Sequence, residues 1–344
     1  MSASRDGREP LASVRDRIQA SVVGRERELG LVLAAVAAGR DILLEGPPGT
    51  SKSTLLRAIT AEWGIPLVFV EGNADLTPAK LVGHHNPARV LREDYSQENF
   101  VDGPLVEAMR EGGFLYIEEF NRAPEDTLNT LLTAMAERRI AIPRVGEVVA
   151  RDTFRVVASM NPYDNIGTTR LSTSVHDRLC RLAITYQDAV AERGIVTLRA
   201  PQFDLAPADL KPAVYERLVA DSVAVTRATR EHEDIRQGSS VRGAIDLTLI
   251  AGQLFTLDSE RRRGSAGPAD DSGGGPTDEW DEPAAVKWDE AAEQSYRETV
   301  YDAMIVALSG RIFLDETVDA TPEQVLRQIW EDHFILNPAA AQPG

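Results

Sequence analysis

Gly46-Pro47-Pro48-Gly49-Thr50-Ser51-Lys52-Ser53 carries the first chemistry in the chain. It follows an apolar run ending in Glu45 and leads into Thr54-Leu55-Leu56, where helical spacing begins. Glycines let a backbone turn so that successive N–H groups face phosphate oxygens, and a helix N-terminus adds a favourable field. In that setting Lys52 can reach the outer phosphates of a nucleotide, and the Ser53 hydroxyl can ligate Mg²⁺. The motif G-x-x-x-x-G-K-[ST] has Gly where this chain has Ser51. A Gly/Pro turn before an ordinary helix is therefore the competing reading.

Two further groups have the same placement at the end of an apolar run. Phe114-Leu115-Tyr116-Ile117 closes on Glu118-Glu119. The first acid at such a strand end can help hold Mg²⁺, and the second can orient and deprotonate a water as general base. Glu118 stands where Asp is usual and is one methylene longer. Phe154 to Ser159 closes on Met160-Asn161-Pro162, and Asn161 could orient the same water by hydrogen bond. A solvated acid pair and an Asn-Pro turn are the competing readings. Three such groups at the carboxyl ends of strands lie where ligands bind in open α/β sheets.

The elements that must position them are legible as short apolar runs. Ile42-Leu43-Leu44, Leu67 to Val70, Phe114 to Ile117, Val156-Val157-Ala158 and Leu182-Ala183-Ile184 read as buried strands. Near-continuous apolarity without alternation is the mark of parallel strands covered on both faces. Helical spacing lies between them, as at Ser53 to Ile59 and Asp126 to Arg138. The alternation predicts an α/β fold, a doubly wound parallel sheet.

From about Gln187 the pattern turns helical, with Val214, Leu218, Val219 and Val223, then Ile245, Leu249 and Ile250. A smaller C-terminal helical domain is predicted over 191–336. A surface loop rich in Gly, Pro and Asp interrupts it at about 264–290, because that composition buries too little apolar surface to offset ordering entropy. Residues 337–344 read as a tail, and 1–20 as a polar segment with a lead-in helix.

Of the 344 residues, 43% are hydrophobic and 26% charged, an ordinary globular balance. The net charge of −17, from 37 basic and 54 acidic side chains, argues against direct nucleic-acid contact. Met1 to Pro10 is polar, no apolar run is long enough to cross a bilayer, and Cys180 is the one cysteine. These features predict a cytoplasmic protein with no membrane span and no intrachain disulfide.

Taken together, the motifs resemble the AAA+ ATPases, and within them the MoxR and magnesium-chelatase I-subunit branch. Val22-Val23-Gly24-Arg25-Glu26 is similar to the segment that lies near adenine, which places Val23 there. GPPGTSKS resembles the phosphate loop of this branch, in which a small residue other than Gly often precedes the Lys. GGFLYIEEFNRAPEDTLNTLLTAMAERRI (Gly112 to Ile140) is the closest stretch, and Asn161 fits the first sensor. The resemblance implies a core over 21–190 with an insertion at about 77–104 and a pre-sensor hairpin at about 140–154.

The resemblance also implies ATP and Mg²⁺ as cofactors and a homo-oligomeric ring, usually hexameric. Asp177-Arg178-Leu179 resembles the family's Asp-Arg-Phe, which makes Arg178 a candidate arginine finger acting on a neighbouring subunit, with Arg170 as rival. Ser240-Val241-Arg242-Gly243-Ala244 resembles the start of the second-sensor helix, so Arg242 would touch the γ-phosphate. The implied function is Mg²⁺-dependent ATP hydrolysis that remodels or matures a client protein complex, with a von Willebrand A domain protein as partner. A magnesium-chelatase motor, a gas-vesicle ATPase and a non-hydrolysing nucleotide-binding scaffold are the alternatives.

Other reactive side chains are read as structural. His84 and His85 are adjacent but lack zinc-site spacing. Cys180 is expected to be a buried thiol. Trp280 and Trp288 fall in or beside the acidic loop.

Overall fold

The computed structural model describes residues 10–19, 22–89, 97–162, 171–202, 211–265 and 289–336. The chain divides into two units, Met1–Tyr186 and Gln187–Gly344. In the first, the elements run α1 (Leu11–Gln19), α2 (Glu26–Ala37), β1 (Ile42–Glu45), α3 (Lys52–Trp63), β2 (Leu67–Glu71), α4 (Pro78–Val82), β3 (Gly83–His85) and β4 (Phe100–Asp102). They continue with α5 (Pro104–Glu111), β5 (Phe114–Glu118), α6 (Glu125–Glu137), β6 (Arg139–Ile142), β7 (Gly146–Val149), β8 (Arg155–Met160), α7 (Thr173–Arg178) and β9 (Cys180–Ala183).

Five of these strands form one parallel sheet in the order β2-β5-β8-β1-β9. Because successive side chains of a strand point to opposite faces, the apolar runs feed two cores. Ile42, Leu44, Phe114, Tyr116 and Val157 pack with Leu29, Leu33, Leu55 and Ile59 of α2 and α3. Leu43, Leu115, Ile117, Val156 and Ala158 pack with Leu105, Met109, Leu128 and Leu131 of α5 and α6. Each large side chain so buried contributes about 1.5–3 kcal/mol of transfer free energy. This three-layer arrangement is the doubly wound α/β fold that the sequence predicts.

The edge strands differ from the expected burial. β2 is only partly covered, and β9 is mostly exposed because β1 is its sole sheet neighbour. Cys180 is accordingly exposed, not buried.

The two insertions are short antiparallel pairs. In the first, α4 starts at a Thr77 cap that accepts from the Lys80 N–H, and β3 pairs with β4 just before α5. In the second, β6 and β7 pair from Arg139↔Val149 to Ile142↔Gly146. The hairpin therefore ends at Val149, and a turn at 152–153 leads into β8.

The second unit holds α8 (Ala189–Arg199), α9 (Pro212–Ala228), β10 (Ile235–Gln237), α10 (Val241–Ser265), α11 (Glu290–Leu308), β11 (Phe313–Leu314) and α12 (Pro322–Glu331). Asp188 caps α8, accepting from the Ala191 N–H at 2.8 Å, so the predicted boundary at 190 falls inside a helix. The expected loop at 264–290 is narrower at its ends, since α10 runs through Ser265 and α11 begins at Glu290. Its remainder, with Trp280 and Trp288, lies outside the described residues, as does the tail at 337–344. Leu218, Leu247, Val300, Met304 and Leu326 form the main core of this unit. Among the described residues no helix is long and apolar enough to cross a membrane.

Candidate functional site

Backbone hydrogen bonds join the ends of four strands in two pairs, β1 with β8 and β2 with β5. The Gly46 N–H donates to the Met160 carbonyl at 3.1 Å, which sets the start of the loop beside Asn161. On the other side the Gly72 N–H donates to the Glu118 carbonyl at 2.7 Å. Both glycines are required by close approach. A Cβ on Gly46 would lie 2.0 Å from the Ile184 carbonyl oxygen, and one on Gly72 would lie 2.4 Å from that of Glu119.

The loop curls because Gly49 (φ +75°) and Ser51 (φ +65°) are left-handed on either side of Thr50. The motif's expectation of Gly at position 51 thus has a conformational cause, and Ser51 carries a strain of roughly 1 kcal/mol there. Pro48 is exposed, whereas Thr50 is buried and its hydroxyl donates to the Pro47 carbonyl at 2.9 Å. Lys52, 9% exposed, opens α3 and donates to the carbonyls of Gly46 at 2.8 Å and Pro47 at 2.9 Å. Ser53 and Thr54 follow in the first turn of α3, half-buried. The loop, its lysine and the helix start form a cradle of the kind that accepts phosphate oxygens.

Arg25 supports this loop from below. Only 2% exposed, it donates to the Thr50 carbonyl at 3.1 Å, the Thr185 carbonyl at 2.6 Å and Glu28 at 2.9 Å. Val23 is half-buried in the turn that precedes it.

Glu118 ends β5, and Glu119 follows at φ +52°, a left-handed conformation uncommon for a non-glycine. The Glu119 carboxylate pairs with Arg122 at 3.1 Å, both side chains being part-exposed. Backbone strain of this kind concentrates at functional sites. Beneath Glu118, the Tyr116 hydroxyl donates to Glu118 Oε1 at 3.4 Å and lies 3.0 Å from Ser159 Oγ. Burial pushes the Tyr116 phenol well above its ordinary pKa, and the Glu118 charge adds to this.

Asn161 follows β8, half-buried, and its carbonyl accepts from Asn121 Nδ2 at 3.5 Å. The structure thus brings the loop, Glu118, Glu119 and Asn161 to one sheet edge. The hard oxygens of Ser53, in the first turn of α3, and Glu118, at the end of β5, suit a small divalent cation completed by phosphates and water. Among the described residues no three His, Cys, Asp or Glu side chains cluster as a protein-only cage.

The arginines are placed differently. Arg178 is the exposed last residue of α7, donating to the Ser174 carbonyl at 3.0 Å. Arg170 lies outside the described residues. Arg242 is exposed in the first turn of α10 in the second unit, its N–H donating to Ser240 Oγ at 3.3 Å. Tyr116, Arg25 and Gly72 were not singled out as site residues by the sequence. Their partners are brought in by the fold.

Residues 41–179 match the family described as AAA domain (dynein-related subfamily). NorQ of Paracoccus denitrificans is 30% identical over 255 residues, covering 69% of this chain and 88% of NorQ. The gas vesicle ATPase GvpN of Ancylobacter aquaticus is 26% identical over 237 residues, and the chain spans 62% of its length. Among solved structures, NtrX of Brucella abortus in complex with ADP is similar at 17% identity and a TM-score of 0.47, over 72% of this chain and 54% of that one.

Proposed function

Since the chain belongs to the MoxR-like AAA+ ATPases, we propose that it hydrolyses ATP with Mg²⁺ at the edge of β1, β5 and β8 and uses the energy to remodel or mature a partner protein complex. The observation that carries this reading is the convergence of Lys52, Ser53, Glu118, Glu119 and Asn161, fixed by the Gly46–Met160 and Gly72–Glu118 backbone bonds.

In this reading the N–H groups of Gly49 to Ser53 hold the phosphates. Lys52 exchanges its loop carbonyls for phosphate oxygens. Ser53 and Glu118 hold the cation, which supplies positive charge to the phosphates when bound. Glu119 takes the proton of the attacking water and Asn161 orients that water. Val23 borders the adenine. Arg178 stabilises transition-state charge in a neighbouring subunit, and Arg242 reads the γ-phosphate.

AAA+ proteins generally form rings. A hexamer in the cytoplasm working with a von Willebrand A domain protein is the arrangement proposed for this chain. A gas-vesicle-type motor is the second reading, favoured by gas vesicle ATPases among its relatives.

The test is steady-state ATP hydrolysis with Mg²⁺ for the wild type and Glu119→Gln, with particle mass read in the same samples with and without ATP. Turnover by the wild type is expected. Glu119→Gln should bind ATP, lose about 10²–10⁴-fold in rate and accumulate as a ring. No turnover and no nucleotide-dependent assembly, even with a von Willebrand A domain partner added, would leave a structural nucleotide pocket and sink the reading.

A further inference from the structure

Tyr116 lies in the middle of an apolar strand run, yet its hydroxyl sits between the end of its own strand β5 and the neighbouring β8. It is fully buried, on the sheet face that packs against α3. Its hydroxyl donates to Glu118 Oε1 at the end of β5 across 3.4 Å and lies 3.0 Å from Ser159 Oγ on β8. Ser159 is itself buried and stands two residues before Asn161.

A buried hydroxyl must find partners or forfeit its hydration. A plain core position would be filled by Phe, which packs the same volume without that demand. The phenol is therefore explained by its partners, and one of them, Glu118, is an oxygen donor assigned to the cation.

We propose that Tyr116 is a positioning residue of the metal–nucleotide site, orienting the Glu118 carboxylate toward the cation and locking it to β8, the strand that leads into Asn161. This rests on the reading of the site as a Mg²⁺-ATPase. By donating to Oε1, the phenol leaves Oε2 of Glu118 as the oxygen turned to the ion. Glu118 has one more methylene than the usual Asp, hence one more torsion to fix, and the phenol supplies that restraint. Groups that orient metal ligands typically change metal affinity by about 10–100-fold when removed.

The test compares wild type and Tyr116→Phe, which keeps the ring and removes only the hydroxyl. A fluorescent N-methylanthraniloyl ATP is titrated with EDTA, then with Mg²⁺. Binding of Mn²⁺ to the protein–ATP complex is read by electron paramagnetic resonance, and folding by thermal melting. Expected are unchanged affinity in EDTA, a Mn²⁺ affinity lower by about 10-fold or more, and a matching rise in the Mg²⁺ needed for half-maximal hydrolysis. A merely structural hydroxyl would lower melting temperature and weaken nucleotide binding equally with and without metal; that result overturns the proposal, as does unchanged Mn²⁺ affinity.

If Tyr116→Phe does not fold, Ser159→Ala carries the same test from the other side of the bond. A weaker Mn²⁺ affinity supports the proposal and an unchanged one overturns it. A wild type that never hydrolyses ATP refutes the ATPase reading. An active wild type whose variants keep its metal dependence refutes only this inference.

Discussion

The Arg25 guanidinium donates to the Thr50 carbonyl of the phosphate loop across 3.1 Å, in a position 2% exposed to solvent. The same group reaches Thr185, 160 residues beyond Arg25, and Glu28 in the first turn of α2, the helix that Arg25 precedes. One planar cation thus fastens the loop to the segment that leaves β9. Arg25→Ala strands two carbonyls and a carboxylate that have lost a charged donor. A loss of about 2–4 kcal/mol in urea unfolding is expected, with weaker nucleotide binding. Arg25→Lys keeps the charge but not the fork, so it should recover less than half. A fully stable Arg25→Ala would show that the loop holds itself.

Ser51 makes an opposite prediction. At φ +65° it occupies a conformation that glycine adopts without strain. Ser51→Gly relieves roughly 1 kcal/mol in the folded state and loses a similar amount through the freer unfolded chain. Its stability should therefore stay within about 0.5 kcal/mol of wild type. Ser51→Val adds a branched side chain where φ is positive and should cost about 1–2 kcal/mol. Differential scanning calorimetry of both variants checks this, and equal stability of Ser51→Val would refute the strained loop.

How much of this site the sequence reveals depends on where each residue's partners lie. The inner strands β1, β5 and β8 are buried on both faces, so their apolar runs have no alternation and stand out. Their polar ends, from Gly46, Glu118 and Asn161 onward, are marked by the abrupt change of residue type. Arg25 and Tyr116 carry no such mark. Arg25 is one cation among many, and its meaning comes from Thr50 and Thr185. Tyr116 reads as one more apolar residue until β8 brings Ser159, 43 positions away, to its hydroxyl. Cys180 misleads for the converse reason: its run is apolar in composition, but β9 is an edge strand.

In the second unit the pH dependence of stability has a named source. Arg217 forks onto Glu293 at 2.7 and 2.8 Å, and Arg297 adds a bond at 2.7 Å. The Arg217 hydrogen bonds hold the Glu293 carboxyl below its ordinary value of 4.5. A depressed folded-state pKa gives stability that is complete above the unfolded value and disappears as pH falls through the folded one. Glu293→Gln should therefore be destabilised by about 1–3 kcal/mol near neutral pH. The gap to wild type should narrow as pH falls below about 4.5, where the unfolded chain's carboxyl begins to take up a proton that the folded one still excludes. Urea midpoints near pH 7 and near pH 3.5 test this, and a gap that does not narrow would contradict it.

Arg178 tests whether catalysis is shared between subunits. It is exposed at the end of α7 and bonds only to its own helix among its hydrogen bonds given by the structure, so truncation should leave folding intact. An arginine acting on developing phosphoryl charge is worth about 10³–10⁵ in rate. Arg178→Ala should therefore bind nucleotide normally and hydrolyse it at least about 10³-fold more slowly. Glu119→Gln is inactive for a different reason: it keeps the arginine and lacks the base. In a mixed ring, a Glu119→Gln subunit beside an Arg178→Ala subunit offers its arginine to a site whose own Glu119 is intact. Mixing the two inactive variants should restore a measurable fraction of wild-type turnover, and mixing either with itself should restore none. If the mixture stays inactive while its mass shows mixed rings, Arg178 is not the residue that crosses the subunit boundary, and Arg170→Ala is the next variant to mix.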